Sequence, residues 1–191
     1  MILPIVLYGD PILKKKAEKL SSDYEGLQIL IDNMYETMYA AEGVGLAAPQ
    51  VGASINLFVV DASPFAEDYI DAVNFKKVFI NPEILSEEGE EWRFNEGCLS
   101  FPALRQDVMR KPNILIRYQD EKFVEHEESF KGIAARIIQH EYDHLKGIVF
   151  VDRITYLKKT LIKKKLQDII DGNVDPSYKV KAYVLRKKKK F

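Results

Sequence analysis

His140-Glu141-Tyr142-Asp143-His144 constrains the fold of this chain more than any other stretch. It continues an apolar helical pattern: Ile133, Ile137, His140, Glu141 and His144 are spaced i, i+4, i+7, i+8 and i+11. One face of one helix therefore begins as hydrocarbon and ends in three titratable groups. At about 100° per residue, His144 lies about 40° round from His140 and one turn along, and Glu141 about 60° beyond His144. Both imidazoles can reach one ion, with the carboxylate beside a water that the ion would hold. Burying such groups without partners costs several kcal/mol, so the fold must supply whatever satisfies them. The alternative for any single pattern of this kind is a helix with two incidental surface histidines.

A catalytic metal site wants a third protein ligand and an open position for water. The extension His-x-x-Gly-x-x-His begins correctly at His144 and Gly147, then fails at Phe150, and no Glu follows His144. Both common peptidase layouts are thereby removed, and the third ligand must lie upstream. Cys98, in Glu96-Gly97-Cys98-Leu99-Ser100-Phe101-Pro102, is the best candidate, and His126 among Glu125, Glu127 and Glu128 is its rival. A lone cysteine is otherwise a small buried hydrophobe, and it forms no intrachain disulfide. Cys with two His is a soft, open set suited to Zn or Fe(II).

The chain has 191 residues, of which 47% are hydrophobic and 30% charged, enough for one domain with a real core. That composition excludes disordered, collagen-like and solenoid classes. No apolar stretch approaches the roughly 20 residues of a membrane span. Met1 to Leu7 lacks a basic n-region, so a cytoplasmic protein without membrane association is expected. The net charge of −1 hides a split: Thr155 to Phe191 carries 12 Lys+Arg against 3 Asp+Glu, a local +9, leaving −10 elsewhere. A basic segment on an acidic body suggests a polyanionic partner, against the plainer reading of a solvated helix face and tail.

Ser22-Asp23-Tyr24-Glu25 has the form of a capping box, and the apolar spacing from Leu27 to Met38 predicts a helix over about 23–41. Strands are predicted at Ile55–Val60, at Lys77–Ile80 (stopped by Asn81-Pro82), at Glu90–Phe94, at Asn113–Tyr118 and at Phe123–Ser129. Ser63 to Lys76 reads as a polar excursion with a helical turn. A second helix runs from about Lys131 to Leu145, closed by Gly147, and a third from Leu157 to Ile170. The expected class is α+β: small antiparallel or mixed sheets around a central His-Glu-x-x-His helix, with an N-terminal and a C-terminal helix. Residues 1–172 are expected to form one catalytic domain and residues 173–191 a basic tail.

Three separated segments resemble the signature motifs of bacterial peptide deformylase: Gly43-Val44-Gly45-Leu46-Ala47-Ala48-Pro49-Gln50, Glu96-Gly97-Cys98-Leu99-Ser100 and Gln139-His140-Glu141-Tyr142-Asp143-His144-Leu145. They stand in the family's order and at comparable spacing. The departures, Ser63 to Lys76 and the residues after Gly172, touch no signature motif. The resemblance implies a metal held by Cys98, His140 and His144, Fe(II) physiologically, with Zn, Ni or Co able to substitute. It implies hydrolysis of the N-formyl group from the formyl-methionine of new polypeptides, releasing formate. Glu141 would then move the proton, and the Gln50 amide and Leu99 N–H would stabilise the developing oxyanion.

Substrate is expected to pair through its backbone with Val44-Gly45 and with the Glu96-Gly97-Cys98-Leu99 strand, its side chain lying against Val44 and Ile137, for which plain core packing is the alternative, and Glu96 is expected to pair with Arg105 at the rim. A ribosome contact through the basic C-terminal segment is expected where nascent peptides emerge. The competing readings are a metallopeptidase acting on ordinary peptides and a non-catalytic metal-binding or ribosome-associated protein. Glu141 and Gln50 count against the latter, because a structural metal site needs neither.

Overall fold

Leu57, Phe58, Val59 and Val60 are all fully buried, which a strand achieves only when both its faces are covered. The computed structural model, which describes residues 1–183, has Leu57 and Val59 packing toward one long helix and Phe58 and Val60 toward another. In chain order the elements are β1 (Ile5–Val6), α1 (Leu27–Ala40), β2 (Gly45–Ala47), β3 (Leu57–Asp61), β4 (Lys76–Glu88), β5 (Trp92–Gly97), β6 (Arg105–Arg110), β7 (Asn113–Gln119), β8 (Glu125–Lys131), α2 (Gly132–Leu145), α3 (Tyr156–Leu161), α4 (Lys163–Ile170) and β9 (Val180–Lys181), with short 3-10 turns between some of them.

The architecture is α+β. A five-stranded antiparallel sheet runs β2-β3-β4-β7-β8, β5 and β6 form a separate hairpin, and β1 pairs in parallel with β9. Between the sheet and α2 lies a core of Phe58, Phe79, Ile116, Ile133 and Ile138. Met34 and Met38 of α1 meet Leu57, Val59 and Ile80 on the other face. A third cluster joins Leu7, Phe101, Val108 and Phe150 to Leu166 and Ile169 of α4. Among the described residues, no helix is long and apolar enough to cross a membrane.

Three elements differ from the sequence expectation. The Ser22 box does not form; α1 starts at Leu27, because Gly26 at φ +76° breaks the helical path before it. β4 does not stop at Asn81-Pro82 but runs thirteen residues, with register shifts against β7 between Ile80 and Glu83 and again between Ile84 and Ser86. Proline cannot donate to a ladder, and an irregularity is where a strand tolerates it. The third helix is broken at Ile162 into α3 and α4, and Leu157 and Leu161 on α3 are exposed rather than core.

The segment from Ser63 to Lys76 contains two 3-10 turns but is not simply polar. Ala72 and Phe75 are buried, Phe65 and Tyr69 pack on the core, and the Asp71 carboxylate accepts the Ala134 N–H at 2.9 Å. That carboxylate satisfies one of the first N–H groups of α2, where a negative charge also suits the helix dipole. The excursion thus anchors the helix that bears His140, Glu141 and His144.

Candidate active site

α2 is buried along nearly its whole length, and His140, Glu141 and His144 are at most 9% exposed. The turn after β5 brings Cys98 to the helix, its Sγ 3.3 Å from His144 Nε2. Ligand atoms of Cys98, His140 and His144 all lie within 4.8 Å of one another, a spacing that suits one ion. His126 is elsewhere: it lies on β8, stacked on Tyr118 and bonded to Asp120.

His140 is aimed from behind. Its Nδ1 meets Glu96 Oε2 at 2.9 Å, which leaves Nε2 for the site, and such a partner fixes both the tautomer and the ring of a metal ligand. Glu96 is nearly fully buried and does not pair with Arg105. It takes Arg110 on both oxygens, at 2.7 and 3.0 Å, and Arg136 at 3.0 Å. Burial alone would raise its carboxyl, but the hydrogen bonds from His140 and Arg110 outweigh burial and hold it well below the usual carboxylate range. Arg110 continues to Asp143 at 2.7 Å, and Arg153 closes the network on Asp143. Arg105 instead holds Asn95, its neighbour across the β5–β6 hairpin, and remains exposed at the cleft rim.

Glu141 is the one acid of the motif left without a full set of partners. Its Oε2 is buried and unbonded, and burial pushes the carboxyl up to about 7. A Cβ at residue 45 would lie 2.5 Å from Glu141 Oε1, so β2 passes this close only with glycine there. Gln50 follows β2 on a 3-10 turn. Its Oε1 accepts the Ala47 N–H at 2.8 Å, which directs Nε2 to Ser100 Oγ at 3.3 Å and toward Cys98 Sγ at 3.5 Å. The Leu99 N–H has no hydrogen-bond partner among the described residues.

These groups line a cleft of ≈ 380 Å³ bounded by Val44, Gly45, Gly97, Leu99 and Ile137, among others. A half-buried thiol and two buried imidazoles converging beside an unpartnered carboxylate, with no fourth protein ligand among the described residues, fit a catalytic divalent ion with open positions.

The polypeptide deformylase family model matches residues 2–160. The chain belongs to this deformylase family. It is 56% identical to the peptide deformylase of Flavobacterium psychrophilum over 188 residues, 95% of this chain and 97% of that one. The crystal structure of the Thermotoga maritima peptide deformylase matches with a TM-score of 0.74 at 41% identity, covering 81% of this chain and 99% of that chain. The Legionella pneumophila peptide deformylase structure gives 0.78 at 37%, covering 91% and 98%. The family's enzymes are metal-dependent hydrolases that remove the N-formyl group from nascent peptides, and this chain is one of them.

Within this deformylase cleft the structure adds residues that sequence reasoning missed. Arg110 comes from β6 and Arg136 from α2, and nothing local marks them as partners of Glu96, nor Asp143, also on α2, as the second partner of Arg110. Phe65 of the Ser63–Lys76 segment meets Phe94 edge-on and lines the cleft. Tyr178, from the expected tail, lines it as well.

Proposed function

We propose that Cys98, His140 and His144 hold Fe(II), replaceable by Zn, Ni or Co, and that Glu141, Gln50 and Leu99 carry the chemistry of deformylation. A bound divalent ion supplies Lewis-acid activation of a water and of the formyl oxygen. Glu141 takes the water's proton on Oε2 as the water's oxygen bonds to the formyl carbon. As the C–N bond breaks, Glu141 returns that proton to the amine nitrogen, and the acid left behind gives up the water's second proton, so formate and a free methionyl amino terminus leave. Gln50 Nε2 and the Leu99 N–H donate to the charge that develops on the formyl oxygen.

The substrate backbone lies between Val44-Gly45 and the main chain of Glu96-Gly97, because the Glu96 carboxylate is engaged behind the site. The methionine side chain rests on Val44 and Ile137, and Arg105 faces the residues that follow. Residues 1–172 supply the groups that carry the chemistry, residues 173–183 pack against them through β9, and the enzyme acts in the cytoplasm. Lysines 158, 159 and 163–165, with the basic run 186–190 that lies outside the described residues, contact ribosomal RNA phosphates electrostatically.

The observation that carries this reading is the unpartnered Glu141 Oε2 beside the converging Cys98, His140 and His144. Anaerobic purification with elemental analysis, paired with turnover of a formyl-methionyl tripeptide, tests it. An iron-containing protein that deformylates this peptide and leaves an unformylated, internally quenched peptide intact is expected. Cleavage of the quenched peptide would make it a general metallopeptidase.

A further inference from the structure

The family match ends at residue 160, yet the chain returns to the cleft after α4. Gly172 turns it at φ +73°, and residues 173–183 run back across the third core cluster, to which Val174, Val180 and Ala182 contribute. β9 is tied to β1 by Ile5 N–H to the Lys179 carbonyl at 2.9 Å and Leu7 N–H to the Lys181 carbonyl at 3.0 Å. Between Gly172 and β9, Tyr178 points inward, and its hydroxyl donates to the Leu99 carbonyl at 2.8 Å.

We infer that Tyr178 is a positioning residue of the deformylase site: it fixes the backbone of Leu99, so that the N–H of the same residue stays aimed at the developing oxyanion. The inference rests on the role proposed above for Leu99. The turn that carries Cys98 and Leu99 is held by a small set of bonds. Phe101 N–H donates to the Cys98 carbonyl at 2.8 Å, and Tyr8 N–H, just past β1, donates to the Ser100 carbonyl at 2.9 Å. Gln50 holds the Ser100 hydroxyl. Tyr178 supplies the bond to the Leu99 carbonyl, so one residue has its carbonyl fixed on one side and its N–H free on the other. Burial pushes the phenol up to about 12, so it remains a donor through the neutral range.

A preorganised donor matters when charge develops, so loosening it lowers kcat more than it raises KM. One neutral hydrogen bond corresponds to about threefold to tenfold in rate. The test compares wild type, Tyr178→Phe and Tyr183→Phe as metal-loaded enzymes on a formyl-methionyl tripeptide, with metal content and thermal unfolding measured on each. Tyr178→Phe should lose about threefold to tenfold in kcat, with KM within about twofold, full metal content and nearly unchanged Tm. Tyr183→Phe, at an exposed position, should match wild type. Wild-type kcat in Tyr178→Phe would overturn the inference, as would a rise in KM alone or a loss of kcat that follows a fall in Tm or in metal content. A wild type that turns over no formyl peptide would instead sink the deformylase reading beneath it.

Discussion

Two clusters of charged side chains, one inside the molecule and one on its surface, use the same residue types to different ends. The inner one joins Glu96, Arg110, Arg136, Asp143 and His140, with the side chains of Glu96, Arg110 and Arg136 no more than 4% exposed. The outer one lies around β7 and β8: Arg117 pairs with Glu127 at 2.9 Å, Lys77 with Glu128 at 3.1 Å and His126 with Asp120 at 2.9 Å. The distances match, but the surroundings do not. Exposed pairs contribute about 0–1 kcal/mol, because water and salt screen them and two long side chains must be ordered. Buried pairs gain little net stability, yet removing one member leaves an uncompensated charge, so geometry is enforced. The inner cluster spends its charge on holding one imidazole still, whereas the outer one decorates an edge strand, where charge discourages pairing with other chains.

The largest expected effects are at the groups that converge beside the imidazole the inner cluster holds. Glu141→Gln should retain the ion and lose at least about 10²-fold in kcat on a formyl-methionyl peptide. Cys98→Ser should fold but lose most of its metal, because a hydroxyl poorly replaces a soft thiolate. Elemental analysis beside turnover separates the two, and near-normal turnover in Glu141→Gln would remove the proposed proton carrier.

Next in size is the cluster itself. Glu96→Ala leaves Arg110 and Arg136 without their shared carboxylate and frees the His140 ring. It should destabilise the fold by about 3–5 kcal/mol in urea unfolding and weaken metal affinity about 10- to 100-fold. Truncating the outer pair, in Arg117→Ala, should cost far less, and less still at high salt, because water and ions screen an exposed pair. Equal losses in the two variants would erase the distinction between the clusters.

Sequence reasoning named the groups that converge in the cleft but not their supports, for a physical reason. His140, Glu141 and His144 are presented by one helical repeat, and Cys98 and Gln50 sit in local motifs, so the candidates are written in short spacings. Glu96 meets Arg110 across a hairpin and Arg136 from a helix forty residues on, and only tertiary packing brings those together. The helix α2, the buried strand β3 and the α+β class were legible from periodicity. The passage of β4 through Pro82 was not, because an irregularity of register is invisible to local propensity. Residues 173–183 read as a basic tail because charge dominates their neighbourhood, while β9 pairs through backbone atoms that any sequence possesses.

His126 gives the sharpest contrast with His140, and its removal should have little effect. His126→Ala should leave metal content and turnover unchanged, since the ring faces Asp120 and Tyr118 rather than the cleft. What it should lose is a small pH-dependent part of stability, best read through Asp120→Asn. The hydrogen bond with His126, helped by the Val124 and Lys122 N–H groups and opposed by partial desolvation, lowers the Asp120 carboxyl below its ordinary value. A carboxyl lowered on folding stabilises the native state above its unfolded pKa of about 4, and that contribution fades as pH falls through the lower folded value. Wild type should therefore exceed Asp120→Asn by less than about 1 kcal/mol at pH 7, with the gap starting to close as pH falls below the unfolded value of about 4. Asparagine can still accept from the Lys122 and Val124 N–H groups through its amide oxygen, so the variant removes chiefly the charge. A gap that stayed constant down to pH 3 would mean that the turn is held by those neutral bonds, and that the outer cluster contributes even less through charge than exposed pairs usually do.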